Sequence, residues 1–74
     1  MDVTIVHLNS DSADIFDFQI DEIDEEEVRS AIQRIWGIDT YAKNAKFNRI
    51  TSDLSTVGIL RSDESVYFVT KAAN

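Results

Sequence analysis

Alternation of apolar and polar side chains is the first signal along the chain. Residues 3–8, Val-Thr-Ile-Val-His-Leu, form a β-branched run that predicts a strand. Asn9 to Ala13 are short polar or small residues suited to a turn. Over 14–20 the pattern has period two. Phe16, Phe18 and Ile20 fall on one face, with Asp17 and Gln19 on the other, as in a half-buried strand. Two strands this close in sequence predict a hairpin.

The period then changes. Val28, Ala31, Ile32 and Ile35 follow i, i+3, i+4, i+7 spacing, which gives one apolar stripe on a helix over 24–36, with Trp36 at its edge. Asp24 is a suitable N-cap, and Glu27 three residues on makes a capping-box variant. Ile23 and Val28 have the spacing of a hydrophobic staple. Glu25, Glu26 and Glu27 lie in the first turn, where the helix dipole favours negative charge, and Gly37 supplies a left-handed C-terminal cap. Arg29 and Arg34 are expected on the polar side, with Glu25 and Arg29 paired at i, i+4.

Residues 39–46 read either as a loop or as one helical turn started by Asp39. Phe47–Ser52 and Thr56–Arg61 read as strands around an Asp53-Leu54-Ser55 turn. A second turn at 62–65 leads to a last strand, Val66–Lys71, and the residues after it are expected to fray. In that strand Tyr67 and Val69 share one face, and Val66 and Phe68 the other. A single helix must bury its stripe against the sheet. The expectation is one α+β domain over 1–74, a small two-layer sandwich in ββαβββ order. It has an antiparallel sheet of four to five strands and one helix packed on one face. The other sheet face has no second helix to cover it: if polar it meets water, and if it carries Tyr67, Val69, Ile15 and similar residues it is a candidate association surface.

Composition sharpens the picture at one point, the placement of charge. The first 28 residues hold ten of the fourteen acids and no lysine or arginine, a formal charge of −10. The remainder carries +3, and the whole chain −7. Such a field disfavours nucleic acid and anionic membrane and attracts basic protein surfaces. Asp14, Asp17, Asp21, Glu22, Glu25 and Glu26 are the acids least needed for folding, and they are the candidate partner-binding residues. The bland alternative is a solvated face. Spread along a strand and a helix terminus, these carboxylates extend over about 20–30 Å, a scale on which duplex phosphates also repeat.

Other chemistries fare worse. There is no cysteine and one histidine, which disfavours a transition-metal site and any thiol reaction. The acidic turn around Asp11–Asp14 lacks the glycine and spacing of a calcium loop, so neither metal nor cofactor is expected. No histidine, serine or cysteine stands at a telling spacing from a carboxylate pair, so the chain does not read as an enzyme. His7 reads as a strand histidine and Trp36 as a core-edge residue. No apolar run approaches a membrane span or a signal peptide, which predicts a soluble cytoplasmic protein.

With its size, acidity, lack of cysteine and one-helix layout, the chain resembles small phage-encoded inhibitors, several anti-CRISPR proteins among them. The resemblance is one of length, charge and element order, and it carries no residue role across. It implies a non-enzymatic inhibitor, acting in the host cytoplasm, that engages a basic surface on a larger protein or mimics nucleic acid. The alternative is an assembly subunit that self-associates, as a homodimer for instance, through the open sheet face or an edge strand. Tyr67 and Val69, or else their strand-mates Val66 and Phe68, would then lie in the interface.

Overall fold

A computed structural model describes residues 1–42, 44–53, 55–60 and 65–72. The elements are β1 (Asp2–Leu8), β2 (Ala13–Gln19), α1 (Glu25–Trp36), β3 (Lys46–Arg49), β4 (Thr56–Leu60) and β5 (Val66–Lys71). The five strands form one antiparallel sheet in the order β2-β1-β5-β4-β3. The α+β sandwich in ββαβββ order expected from the sequence is therefore the observed architecture. The connection through α1 carries the chain from one edge of the sheet to the other.

Alternation along the strands decides which face meets the helix. Val3 and Ile5 of β1, Val57 and Ile59 of β4, and Tyr67 and Val69 of β5 point to one side and are fully buried. Val28, Ala31 and Ile32 of α1 belong to the same apolar cluster, which Ile20, Ile23 and Ala45 extend beyond the regular elements. Phe18, Ile35, Trp36, Ile38 and Phe47 pack around it. Tyr67 and Val69 therefore cannot form an oligomer interface. The chain's own helix side of the sheet encloses them, and Val66 and Phe68 take the open face instead.

Both helix ends are built as their residues dictate. Asp24 has extended backbone (φ −127°, ψ 171°), and its carboxylate accepts a hydrogen bond from the Glu27 amide at 2.8 Å. The reciprocal half of a capping box is not made. The Asp24 amide donates instead to the Glu22 carbonyl oxygen at 3.1 Å. Gly37 is left-handed (φ 70°), and its amide donates to the Gln33 carbonyl oxygen at 2.8 Å.

The described residues of this stretch, 39–42, 44 and 45, settle between its two readings. Asp39 caps a single turn, accepting from the amides of Tyr41 and Ala42. Asn44 closes it with φ 53°, while its amide donates to the Tyr41 carbonyl oxygen and that of Ala45 to the Thr40 carbonyl oxygen. The paired bonds around a left-handed residue make a Schellman-type closure without an α-helix. β3 is shorter than expected. The Ile50 and Thr51 amides both donate to the Thr56 carbonyl oxygen, and the Thr51 hydroxyl accepts from the Thr56 amide, so the chain leaves the strand pattern after Arg49. At the other end, Asn9 organises the β1–β2 turn by accepting from the amides of Asp11 and Ser12 at 2.8 Å. The expected 62–65 turn and the last residues of the chain fall mostly outside the described residues.

Candidate functional site: an acidic sheet edge

The six candidate carboxylates are brought to one side of the molecule. β2 is an edge strand, and the turn that follows it leads directly into the N-terminus of α1. Asp14 and Asp17 sit on the strand, Asp21 and Glu22 in the turn, and Glu25 and Glu26 in the first helical turn. All six are exposed. Alternation splits the strand pair. Asp14 lies on the helix side, opposite His7, and Asp17 on the open side, opposite Thr4. The Asp17 carboxylate accepts from the Thr4 hydroxyl at 3.2 Å. An Asp14 oxygen stands 3.9 Å from His7 Nδ1, too far for a hydrogen bond.

Little positive charge reaches this edge. Among the described residues, two of the six carboxylates come within ion-pair distance of a basic side chain: Glu25, 3.0 Å from Arg29, and Asp14, whose contact with His7 is an ion pair only when the imidazole is protonated. Crowding leaves a mark on Glu22. A hydrogen bond with the Asp24 carboxyl and the negative charges of Asp24, Glu27 and Asp21 hold its pKa above the ordinary carboxylate value. A groove of about 490 Å³ separates the end of β2 from α1. Phe18 and Ile20 line one side, and Asp24, Glu26, Glu27 and Arg34 the other. The far edge of the sheet, β3, carries Lys46 and Arg49. The molecule is thus electrically two-sided across a distance of roughly 19 Å, four strand spacings.

Arg29 corrects the sequence reading. It is paired with Glu25 as expected, yet it is 7% exposed and does not project into solvent. Its guanidinium donates to the Thr40 hydroxyl at 3.0 Å and to the Ala45 carbonyl oxygen at 2.7 Å, and the Tyr41 ring covers it at 4.3 Å. A cation committed in this way neutralises little at the surface.

The open sheet face is the second feature. Ile15, Val6 and Phe68 are consecutive cross-strand neighbours on it, as are Leu8 and Val66. Ile15 is 67% exposed and Leu8 37%. Ile50 and Phe68 both lie within contact of the space beside Gly58. Thr4, Thr70 and Thr56 form one polar cross-strand row on the same face.

Under the helix, His7 is stacked on Tyr67 with centroids 4.3 Å apart, and Trp36 meets both rings edge-on. Neither nitrogen of His7 has a hydrogen-bond partner among the described residues. Among the described residues no three His, Asp or Glu side chains converge as metal ligands, and no helix is long and apolar enough to cross a membrane. Comparisons with protein-family models, curated proteins and solved structures find no match to this chain.

Proposed function

We propose that this chain is a non-enzymatic protein-binding module whose acidic side, β2 with the N-terminus of α1, engages a basic surface on a larger protein. The observation that carries this reading is the arrangement of Asp14, Asp17, Asp21, Glu22, Glu25 and Glu26. All are exposed, and Asp17, Asp21, Glu22 and Glu26 have no basic side chain within ion-pair distance among the described residues. An uncompensated field of this kind speeds encounter with a cationic partner and repels an anionic one. In its concrete form the module is a phage-type inhibitor that occupies a nucleic-acid-binding surface in place of the nucleic acid, carboxylates standing in for phosphates. The test is recovery of a partner from host extract by the wild-type chain and by an Asp14→Asn, Asp17→Asn, Asp21→Asn variant. The expected partner is basic, dissociates as salt rises, is displaced by duplex DNA, and is lost with the variant. Equal recovery by both proteins would make the acidic side a solvated surface only.

A second reading, an assembly subunit, is favoured by the apolar row through Ile15, Val6 and Phe68 on the open face, of which Ile15 is exposed and the other two half-buried. It expects a salt-insensitive homodimer, with Val66 and Phe68 in the interface. A monomer in sedimentation at high protein concentration would remove it.

A further inference from the structure

We propose that the free edge of β2 accepts an extended, basic segment of the partner protein as a sixth strand, a mode of contact that rests on the acidic-surface reading above. The backbone carries the argument. Ile20 donates to the Met1 carbonyl oxygen and Asn9 to that of Ser12, and these two bonds fix the phase of the β1–β2 ladder. In an antiparallel pair, bonded and non-bonded positions alternate. The N–H and C=O groups of Asp14, Phe16 and Phe18 therefore turn to β1. Those of Ala13, Ile15, Asp17 and Gln19 turn outward, along the edge of the sheet.

The two edges are protected differently. β3 has four residues and bears Lys46 and Arg49. Short length and cations are the usual means of discouraging strand addition. β2 has seven residues, no lysine or proline, and an unbroken register with β1. What it does carry is Asp14 on one face and Asp17 on the other, and across the groove on α1 the acids Asp24, Glu26 and Glu27 outnumber the one cation, Arg34. This edge repels an acidic strand and favours a cationic one. A strand added about 4.8 Å beyond β2 would turn alternate side chains toward the helix side, by Asp14, Glu26 and Glu27. The others would lie beside Ile15 and Asp17 on the open face. A second copy of this chain brings a net charge of −7 to the same field, so the occupant is a segment of another protein.

The probe is a synthetic peptide of alternating lysine and valine, with a glutamate–valine peptide as control, followed by amide hydrogen exchange. Binding of the lysine peptide should slow exchange about tenfold or more at Ile15, Asp17 and Gln19, and leave Asp14, Phe16 and Phe18 unchanged. Affinity should fall as salt rises, and the glutamate peptide should not bind. Ile15→Pro removes an outward donor without taking a bond from β1, and it should weaken the peptide about tenfold. The same peptide with alternate amides N-methylated tests those bonds in the unaltered protein, and it should bind no better than the variant allows. Binding that is salt-sensitive yet indifferent to N-methylation, with no slowed amides, would overturn strand addition and leave the acidic-surface reading standing. Equal binding of both peptides would overturn both. Slowed exchange at the same amides without peptide, together with a dimer in sedimentation, would overturn the choice of occupant.

Discussion

Arg29, in the first half of the helix, donates a 2.7 Å hydrogen bond to the carbonyl oxygen of Ala45, at the entrance to β3. The same guanidinium holds Thr40 and Glu25 and lies under the Tyr41 ring. One side chain therefore fixes the path by which the chain leaves α1 and reaches the far edge of the sheet.

Arg29→Ala should cost about 3 kcal/mol, because the Thr40 hydroxyl and the Ala45 carbonyl are left buried without their donor. Arg29→Lys should recover part of that, since an ammonium cannot reproduce the planar fork. Urea midpoints of the two variants check the order. A midpoint within error of wild type for Arg29→Ala would show that water replaces the guanidinium at no cost.

Asp24→Ala should destabilise the protein by about 1 kcal/mol, since the Glu27 amide loses its acceptor. Gly37→Ala should cost a similar amount, about 1 kcal/mol. Nothing lies within 4 Å of an added Cβ there, so the whole effect comes from the positive φ. Denaturant titrations read both.

His7→Phe is expected to be neutral or to stabilise by up to about 1 kcal/mol. It keeps a ring stacked on Tyr67 and removes two buried nitrogens that have no partners among the described residues. His7→Ala removes the ring as well and should cost about 2–3 kcal/mol. Thermal unfolding of both variants separates ring packing from nitrogen chemistry. A clear loss in His7→Phe would mean that the nitrogens serve the fold.

Acid should act through two carboxyls in opposite directions. Hydrogen bonds from the Ser55 amide and hydroxyl and from Thr51 pull the Asp53 pKa down from 3.8 to about 2. Its contribution to stability is complete above the unfolded value and is lost as pH falls from about 4 toward 2. Glu22 is raised above 4.5 by its contact with Asp24 and by the surrounding acids. The folded state binds that proton more readily, so stability falls as pH rises through 4.5 toward the raised value. Urea unfolding across this range should show Asp53→Asn losing the first slope and Glu22→Gln the second.

Much of this fold is legible in the sequence where a local rule acts alone. The spacing of Val28, Ala31, Ile32 and Ile35, the Asp24 cap and the Gly37 cap each point to the helix that forms, and Asn9 to the turn that forms. The failures share a cause. Arg29 lies beside the apolar stripe, and periodicity within a helix puts it on the polar side. Its burial comes from the 39–45 turn folding over it, a tertiary event. Asp39 and Asn44, spaced to start and close one turn, were the available signal. Tyr67 and Val69 were indistinguishable from Val66 and Phe68 because all four are apolar. The pairing of β5 with β1, Tyr67 opposite His7 and Val69 opposite Ile5, decides which pair goes inward. The acidic edge was visible as composition. That β2 is an edge at all depends on strand order, which no local pattern records.

The pairing of β1 with β5 also governs how the protein can be made. Val3 and Lys71 are cross-strand partners although nearly the whole chain lies between them. On the ribosome, β1, β2 and α1 emerge as one unit and β3 and β4 follow as another, with no strand between to join them. Only when β5 clears the exit tunnel can it slot into the seam and bond to both sides. The sheet should therefore be completed only once β5 is available, in a single late closure. Any chain stopped short of Val66 would leave an open flank on β1 and another on β4, both ready to bind the wrong strand.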